Sequence, residues 1–210
     1  MKKSYLLIAM TLLLIGVVSS AGVWRIPSGT AEAHMMLPVA GSGATGGGGD
    51  ACDTLVAENT AATASYVDIG DGASTYFVGH HFLDEGDGHD ICKITLNMSL
   101  SSGDISGKTF TCYVYTIDGS GNLDTLQGTS EGISGNNSWD ESDVEFTFSS
   151  AVSFGLDYAV VVSMGETDGS NYARMNYSSS GQLQGLMGRW ESDLSRSSSG
   201  ANDGKLAIYE

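Results

Sequence analysis

Oxygen-bearing side chains are concentrated in two short acidic stretches that are suited to binding a hard cation. The first is rich in carboxylates: Asp84, Glu85, Asp87 and Asp90. The second places an oxygen at every other position: Asp118, Ser120, Asn122 and Asp124. Calcium takes about six to eight oxygen ligands from flexible acidic loops, so both stretches predict a structural calcium site. Neither places a glycine and a terminal glutamate where an EF-hand loop needs them, and the alternative interpretation is two polar turns.

Other residue types capable of chemistry lack the partners that the chemistry needs. His80 and His81 are adjacent in a predicted strand, where neighbouring side chains point to opposite faces, so they do not join His89 around one zinc ion. Residues 128–132 have the form GxSxG, but no histidine follows position 89 and no helix is predicted after them. A nucleophile elbow requires both. We therefore expect a protein that is not an enzyme.

Three cysteines, Cys52, Cys92 and Cys112, give an odd number, so at least one thiol is unpaired within a monomer. Cys92 and Cys112 fall on the apolar phase of two strands predicted to be neighbours, but in the register that the link implies they lie too far apart to bond. We expect buried, unpaired cysteines. The alternative is a bridge from Cys52 to Cys92 or to Cys112, because spacing alone does not determine connectivity.

Four aromatic residues are candidates for contacting a ligand, because they lie near predicted loops or on an outer sheet face: Trp139, Trp190, Tyr172 and Tyr177. Aromatic rings stack on the apolar faces of sugars and anchor protein interfaces. The alternative for Trp190 is a place in the core next to Met187, since large aromatics are often buried.

The stretch 90–126 carries the clearest structural pattern. In residues 91–100, apolar side chains alternate with polar ones, and residues 109–117 repeat the alternation after two glycines. A period of two is typical of a half-buried strand. The two stretches therefore predict a hairpin with one apolar face, which a second sheet must cover.

Short strand-like stretches separated by Gly, Asp, Asn or Ser continue to the end of the chain. They are residues 66–69, 75–82, 91–100, 109–117, 144–148, 158–164, 172–177, 186–191 and 205–209. This pattern predicts an all-β, two-sheet antiparallel β-sandwich of jelly-roll or Ig-like connectivity over residues 51–210. Residues 158–164 are apolar almost throughout and predict a central strand, whereas the Ser- and Gly-rich residues 195–202 predict an exposed loop.

The chain carries a formal net charge of -16 over 210 residues, which excludes nucleic acid as an expected partner because phosphate backbones would be repelled. Residues 1–21 have two lysines, an apolar run and then small residues, as a signal peptide does. The alternative is an uncleaved membrane anchor, which would be the only contact with a membrane. Residues 22–50 end in a run of glycines and predict a flexible linker. Either version of the leader places the rest of the chain outside the cytosol.

The order of several segments resembles a known family. They are residues 76–82, 91–96, 113–122, 144–148, 151–154, 157–162 and 203–209. Together they resemble the choice-of-anchor type β-sandwich domains of secreted bacterial surface proteins, which are similar to jelly-roll carbohydrate-binding modules and also occur in viral appendage proteins. The resemblance covers about residues 63–210. It implies an extracytoplasmic, non-catalytic module and supplies no active-site residues.

These observations predict a secreted or surface-tethered adhesion module that recognises a glycan or a surface protein. The alternative is a structural subunit of an extracellular or viral appendage, in which an exposed strand edge pairs with a neighbouring copy in a homo-oligomer. A secreted hydrolase is the least supported class, because no set of catalytic residues assembles from the sequence.

The leader gives the first testable prediction. Protein recovered from outside the cell is expected to begin near Ala21 or Gly22, since small residues there form the cleavage site. Intact mass spectrometry of that material measures the N-terminus directly. A full-length mass in membrane fractions would show instead that the segment is an anchor.

Overall fold

Every regular element in the described part of the chain is a β-strand. The computed structural model describes residues 52–72, 76–83, 88–154, 157–179, 183, 185–200 and 202–210. The strands form two antiparallel sheets of seven strands each. The predicted all-β, two-sheet sandwich is therefore confirmed.

The first sheet contains the longest strand of the domain. Its strands are β1 (Leu55–Glu58), β2 (Ser65–Ile69), β4 (His89–Ser102), β8 (Ser142–Phe154), β10 (Tyr172–Ser178), β13 (Asp203–Gly204) and β14 (Leu206–Tyr209). The order is β1-β14-β4-β10-β13, with β8 also paired to β4 and β2 to β10. We call it the β4 sheet.

The second sheet contains the other seven strands. They are β3 (Phe77–Phe82), β5 (Thr109–Ile117), β6 (Leu123–Thr129), β7 (Ile133–Ser134), β9 (Tyr158–Met164), β11 (Gly185–Trp190) and β12 (Arg196–Gly200). The order is β12-β11-β3-β9-β5-β6, with β7 also paired to β5. We call it the β9 sheet. Strand β9 lies between β3 and β5, which confirms that it is a central strand.

The core lies between the two sheets and follows the alternation in the sequence. Ile94, Leu96 and Met98 of β4 are fully buried and belong to the same apolar cluster as Cys112 and Val114 of β5. Burying one side chain of this size contributes about 1.5–3 kcal/mol relative to leaving it exposed. The contact between two such faces is what holds the sheets together.

The predicted hairpin between residues 91–100 and 109–117 is wrong. Both stretches are strands with the predicted inward face, but β4 and β5 belong to different sheets. Residues 103–108 carry the chain across, with Ile105 fully buried in the core and a left-handed φ of +69° at Gly103. Alternation specifies which face of a strand is apolar and does not specify which strand lies beside it.

Several strands escape prediction from the sequence because they lack a hydrophobic period: β1, β6, β7, β12 and β13. The expectation of a loop over residues 195–202 is wrong for β12, whose backbone pairs with β11 in the register Gly188↔Ser199. Its serine side chains are exposed. An edge strand that is held by main-chain hydrogen bonds needs no apolar side chain, so the serine-rich sequence of β12 gave no sign of a strand.

Cys52 and Cys92 form a disulfide, so the expectation that the cysteines are unpaired is wrong for two of the three. Their Cα atoms are 5.7 Å apart, and the bridge spans 40 residues of sequence. Cys112 is the free cysteine, and it is fully buried. Cys92 and Cys112 were predicted to lie on neighbouring strands, but their strands, β4 and β5, belong to different sheets.

The predicted leader over residues 1–21 and linker over residues 22–50 lie outside the described residues. Among the residues that the structure does describe, no helix has the length and apolar character needed to span a membrane.

Replacing both bridge cysteines by serine is expected to lower the free energy of unfolding by about 2–4 kcal/mol, because the bridge restricts the unfolded chain. Urea titration of the Cys52→Ser, Cys92→Ser double variant beside the wild-type protein measures the difference. Equal midpoints would show that the bridge is absent from the folded protein.

Thiol labelling provides an independent measurement. Burial raises the pKa of the Cys112 thiol well above its usual value, so the native protein is expected to resist alkylation at that residue. Unfolding without reductant should expose one reactive thiol, and adding reductant should expose all three cysteines. Rapid labelling of the native protein would contradict the burial of Cys112.

Candidate ligand-binding face

A second apolar cluster lies on the outer face of the β9 sheet, away from the main core. Even-numbered residues of β3 and β5 join the core, so Phe77, Tyr113 and Tyr115 point to the other side. Tyr115 is 8% exposed, and Trp190 of β11 is fully buried in the same cluster. An outer sheet face with this many apolar side chains is either covered or available for contact.

Phe77, Tyr113 and Tyr115 form what we call the aromatic trio. The ring centroid of Phe77 lies 5.5 Å from that of Tyr113 and 6.0 Å from that of Tyr115, both in edge-to-face geometry. The two tyrosine centroids are 6.3 Å apart. Phe77 and Tyr113 are only partly buried, so the trio presents ring surface to solvent. Rings locked against one another in this way form a rigid apolar platform.

Gly79 lies beside the trio in the row Gly79, Val161, Tyr113 across three strands. A Cβ at Gly79 would collide with the carbonyl oxygen of Val160 in β9, so the two strands approach as closely as they do because this residue is glycine. The glycine adds no side chain to the outer face next to the aromatic rings.

Trp190 is covered by the turn that joins β5 to β6. Its indole N–H donates a hydrogen bond to the carbonyl oxygen of Gly121 at 2.9 Å. Its ring lies against Gly188, where a Cβ would stand only 2.5 Å from a ring carbon. The tryptophan therefore fixes the turn 118–122 onto the outer face of the β9 sheet.

Asp118 stabilises the turn 118–122 through hydrogen bonds within it. Its carboxylate accepts the backbone N–H groups of Ser120 and Asn122 at 2.8 and 2.9 Å and the Asn122 side-chain amide at 3.0 Å. The amide oxygen of Asn122 in turn accepts the backbone N–H of Arg196 at 3.0 Å. The pKa of Asp118 is held below its usual value, mainly by the hydrogen bond from the backbone N–H of Asn122 and next by the one from the Asn122 side-chain amide. The turn thereby fixes the backbone of Arg196 at the start of β12.

A cleft of about 350 Å³ opens between this turn, the end of β3 and the start of β12. We call it the Arg196 cleft. Its lining combines apolar, charged and backbone groups: His81, Leu83, Ile117, Asp118, Gly119, Ser120, Gly121, Asp157, Leu186 and Arg196. Tyr115 and His81 lie in one row, each paired with Ala159 of β9, so the cleft adjoins the aromatic trio.

Four nitrogen atoms of two cleft residues have no hydrogen-bond partner. They are both ring nitrogens of His81 and the Nε and Nη2 atoms of Arg196, and all four are shielded from solvent. Burial lowers the pKa of His81, Arg196 lowers it further, and Asp157, whose carboxylate is 3.9 Å from the ring, acts in the opposite direction. Burial also lowers the pKa of Arg196. Buried donors and acceptors are nearly always paired, and these four would pair with a ligand only after the two side chains move toward the cleft.

A smaller cleft of about 220 Å³ lies on the outer face of the β4 sheet. Its polar side chains are bonded to each other: Asn97 donates to Asp143 at 2.7 Å and accepts from Asn176 at 2.9 Å. Lys205 at its edge donates to Thr63 at 3.0 Å. Because these groups are satisfied internally, this second cleft has less capacity to hold a ligand than the Arg196 cleft.

None of the four aromatic residues predicted to contact a ligand lines either cleft. Trp190 is fully buried, and its indole N–H is hydrogen-bonded to the carbonyl oxygen of Gly121, which lines the Arg196 cleft. Trp139 packs its ring 5.2 Å from that of Phe110 in the core. Tyr172 and Tyr177 are partly buried against the same core.

The predicted calcium ligands are only partly within the described residues. Asp84 and Asp87 lie outside them, while Asp90 belongs to β4 and accepts the hydroxyl of Ser153 at 3.0 Å. Of the second set, Asp118 and Asn122 bond to each other, and Asp124 faces the Thr125 hydroxyl at 3.2 Å. Within the described ranges, no group of three or more His, Cys, Asp or Glu side chains converges on one point. Calcium stays a prediction.

The histidines and the GxSxG serine are placed apart. His80 points into the core, with its Nδ1 accepting the Gly204 backbone N–H at 3.3 Å, while His81 points outward into the Arg196 cleft. His89 pairs with Glu210 at 2.8 Å. Ser130 is 6% exposed and bonds to the backbone of Cys112, which is a structural role.

The alternation in β5 contains a signal for the aromatic trio. The same alternation that places Cys112 and Val114 in the core places Tyr113 and Tyr115 on the outer face. Arg196 had no comparable signal, because its strand reads as a serine-rich loop. Its role depends on a contact with a turn 74 residues earlier in the chain.

No protein-family model and no curated protein sequence matches the chain significantly. The case for a function therefore depends on the geometry of this face.

Acid is expected to weaken the turn through Asp118. Because the folded state holds the pKa of this carboxyl below its usual 3.8, the stability it contributes is present above about pH 4 and is lost as the pH falls through the folded-state pKa. Urea midpoints at neutral and acid pH should therefore fall less steeply for Asp118→Asn than for the wild-type protein.

Asp124→Asn is the matched control, because it removes a carboxylate close by in the chain and leaves the hydrogen bonds of Asp118 in place. Identical acid sensitivity of the Asp118→Asn variant and the wild-type protein would contradict the role assigned to Asp118.

Proposed function

We propose that residues 51–210 form a non-catalytic binding module that acts outside the cytosol and recognises a glycan or a surface protein. One observation carries the proposal: the aromatic trio and the Arg196 cleft adjoin each other on the outer face of the β9 sheet. The trio offers a rigid apolar platform, and the cleft offers polar atoms without partners. Sites that bind small ligands combine these two features.

The chemistry of the cleft favours binding over catalysis. A catalytic histidine is oriented by a hydrogen bond from one ring nitrogen to a second protein group, and neither ring nitrogen of His81 makes a hydrogen bond with the protein. Asp157 stands 3.9 Å from the ring, which is too far for the hydrogen bond that orients a catalytic histidine. The same groups are well suited to holding hydroxyl or amide groups of a ligand.

The disulfide is consistent with the proposed location. Disulfides persist in oxidising compartments such as the periplasm and the cell exterior and are rare in the cytosol. The bridge between Cys52 and Cys92 therefore supports export, as the predicted leader does.

The proposal is tested by binding of the purified domain to a glycan array and to intact cell surfaces. Tyr113→Ala is expected to weaken binding about twofold to tenfold, because a stacking ring contributes about 0.5–1.5 kcal/mol. The matched control is Tyr66→Ala, which removes a 47% exposed tyrosine from the outer face of the β4 sheet. Equal losses for both variants, or no binding by the wild-type domain, would contradict the proposal.

A second candidate function is an appendage subunit that joins neighbouring copies through a strand edge. Strand β12 supports it, because this edge of the β9 sheet consists of serines and a glycine after Arg196 and carries no proline or lysine to block pairing. Light scattering over a range of concentrations tests it: growing polymers that Ser198→Pro abolishes would favour this class over the binding module.

A further inference from the structure

We infer that the Arg196 cleft holds one uncharged pyranose unit, an inference that rests on the proposed binding function and specifies its ligand. The sugar would place a C–H face on the apolar wall, and its ring and hydroxyl oxygens would pair with the polar atoms. The cleft supplies each of these elements within about 350 Å³. Ligand pockets in proteins begin at about 300 Å³, so the cleft suits one small ring better than an extended chain.

The donors come from Arg196 and His81, whose side chains turn toward the cleft when the sugar binds, because their unpaired nitrogens are shielded from solvent in this structure. The Nε and Nη2 atoms of Arg196 lie on the same edge of the guanidinium, and both are without partners. A fork of two parallel N–H groups matches two oxygens on adjacent carbons. His81 is 6% exposed, and its two nitrogens also make no hydrogen bond with the protein. Leaving such groups unpaired is destabilising, so a ligand that pairs them binds with a gain in free energy.

The acceptor comes from Asp157. Its side chain is 64% exposed on the rim of the cleft, and its backbone has a left-handed φ of +56°. Asp118 lines the same cleft, but its carboxylate already accepts three hydrogen bonds from within the turn. Hydroxyl groups both donate and accept, so a sugar can satisfy the arginine and the aspartate together.

The charge of the cleft selects against an acidic sugar. Among the described residues that line the cleft, one guanidinium, Arg196, accompanies two carboxylates, Asp118 and Asp157, and there is no lysine. A ligand carboxylate or sulfate would add a third negative charge at close range, within a chain whose formal net charge is already -16. A neutral polyol avoids that repulsion and still uses every donor.

The apolar wall is formed by Leu83, Ile117 and Leu186, which are all partly buried. Their side chains offer a surface for the C–H face of a sugar ring. His81 and Tyr115 flank Ala159 of β9 in one row across three strands. A second sugar unit bound beyond His81 along this row would therefore contact the aromatic trio. The cleft therefore binds a terminal or branch unit, and the trio binds the unit next to it.

The test compares neutral and acidic oligosaccharides on an array, followed by calorimetry with the best neutral ligand. The wild-type domain is expected to prefer neutral sugars, and Arg196→Gln and Asp157→Asn to weaken binding about tenfold to a hundredfold each. Arg196→Lys keeps the charge but removes the fork, so it is expected to resemble Arg196→Gln. The matched control is Arg174→Gln, which removes an arginine stacked 4.3 Å over Tyr66 on the other sheet.

A urea-unfolding midpoint close to that of the wild-type domain verifies that each variant is folded. Asp157→Asn is a second safeguard, because asparagine tolerates a left-handed backbone. A preference for acidic glycans would overturn the inference, as would neutral binding that Arg196→Gln and Asp157→Asn leave unchanged. Either result would leave the proposed function standing, whereas binding to no glycan and no cell surface would overturn both.

Discussion

Strand β9 is buried on both of its faces, and the rest of the domain is arranged to make that possible. Val160, Val162 and Met164 face the β4 sheet and join the main core. Ala159 and Val161 face outward, where water would meet them if the sheet had no second cover. Burial of a central strand on both sides requires a layer on each. In this domain the inner layer is a sheet, while the outer layer consists of aromatic side chains and two turns.

That outer layer explains why the candidate site is where it is. The β5–β6 turn and the segment after β11 close over Trp190, and they meet at the backbone hydrogen bond between Leu123 and Leu194 at 3.0 Å. The turns cover one part of the sheet and stop at the Arg196 cleft. The aromatic trio continues the same apolar face beyond them. Among the described residues, His81 and Arg196, which carry the unpartnered nitrogen atoms, lie where this cover ends.

The acidic composition has a structural use in these turns. In one loop after another, an Asp or Asn side chain accepts the backbone N–H two residues later, as at Asp104, Asp118, Asn136, Asp168 and Asp193. Such turns replace the backbone hydrogen bonds that the strands no longer supply. Part of the large negative charge therefore follows from the number of tight connections in a sandwich of fourteen strands.

The fold class and the inward face of most long strands could be predicted, because both depend on a local period of two. The central position of β9 could be predicted because residues 158–164 are apolar almost throughout. The pairing of β4 could not, since alternation is identical whether two apolar faces lie side by side or across a core. The disulfide was missed because it joins residues 40 positions apart in the sequence. Strand β12 was missed because it is held to its neighbour β11 through the main chain and carries no apolar period. For the site, the outward phase of Tyr113 was readable in the sequence. The place of Arg196 was not, because it depends on a contact with a turn 74 residues earlier in the chain.

The covalent link from Cys52 to β4 has a mechanical consequence. Strand β1 pairs only with β14 at the edge of its sheet, in the register Leu55↔Tyr209, and a pull on the preceding residues would peel that pair apart one hydrogen bond at a time. The bridge attaches at Cys92, inside the longest strand, which is paired on both sides. Tension entering from the N-terminal side therefore bypasses the weak edge and loads the middle of the sheet, where many hydrogen bonds resist in parallel.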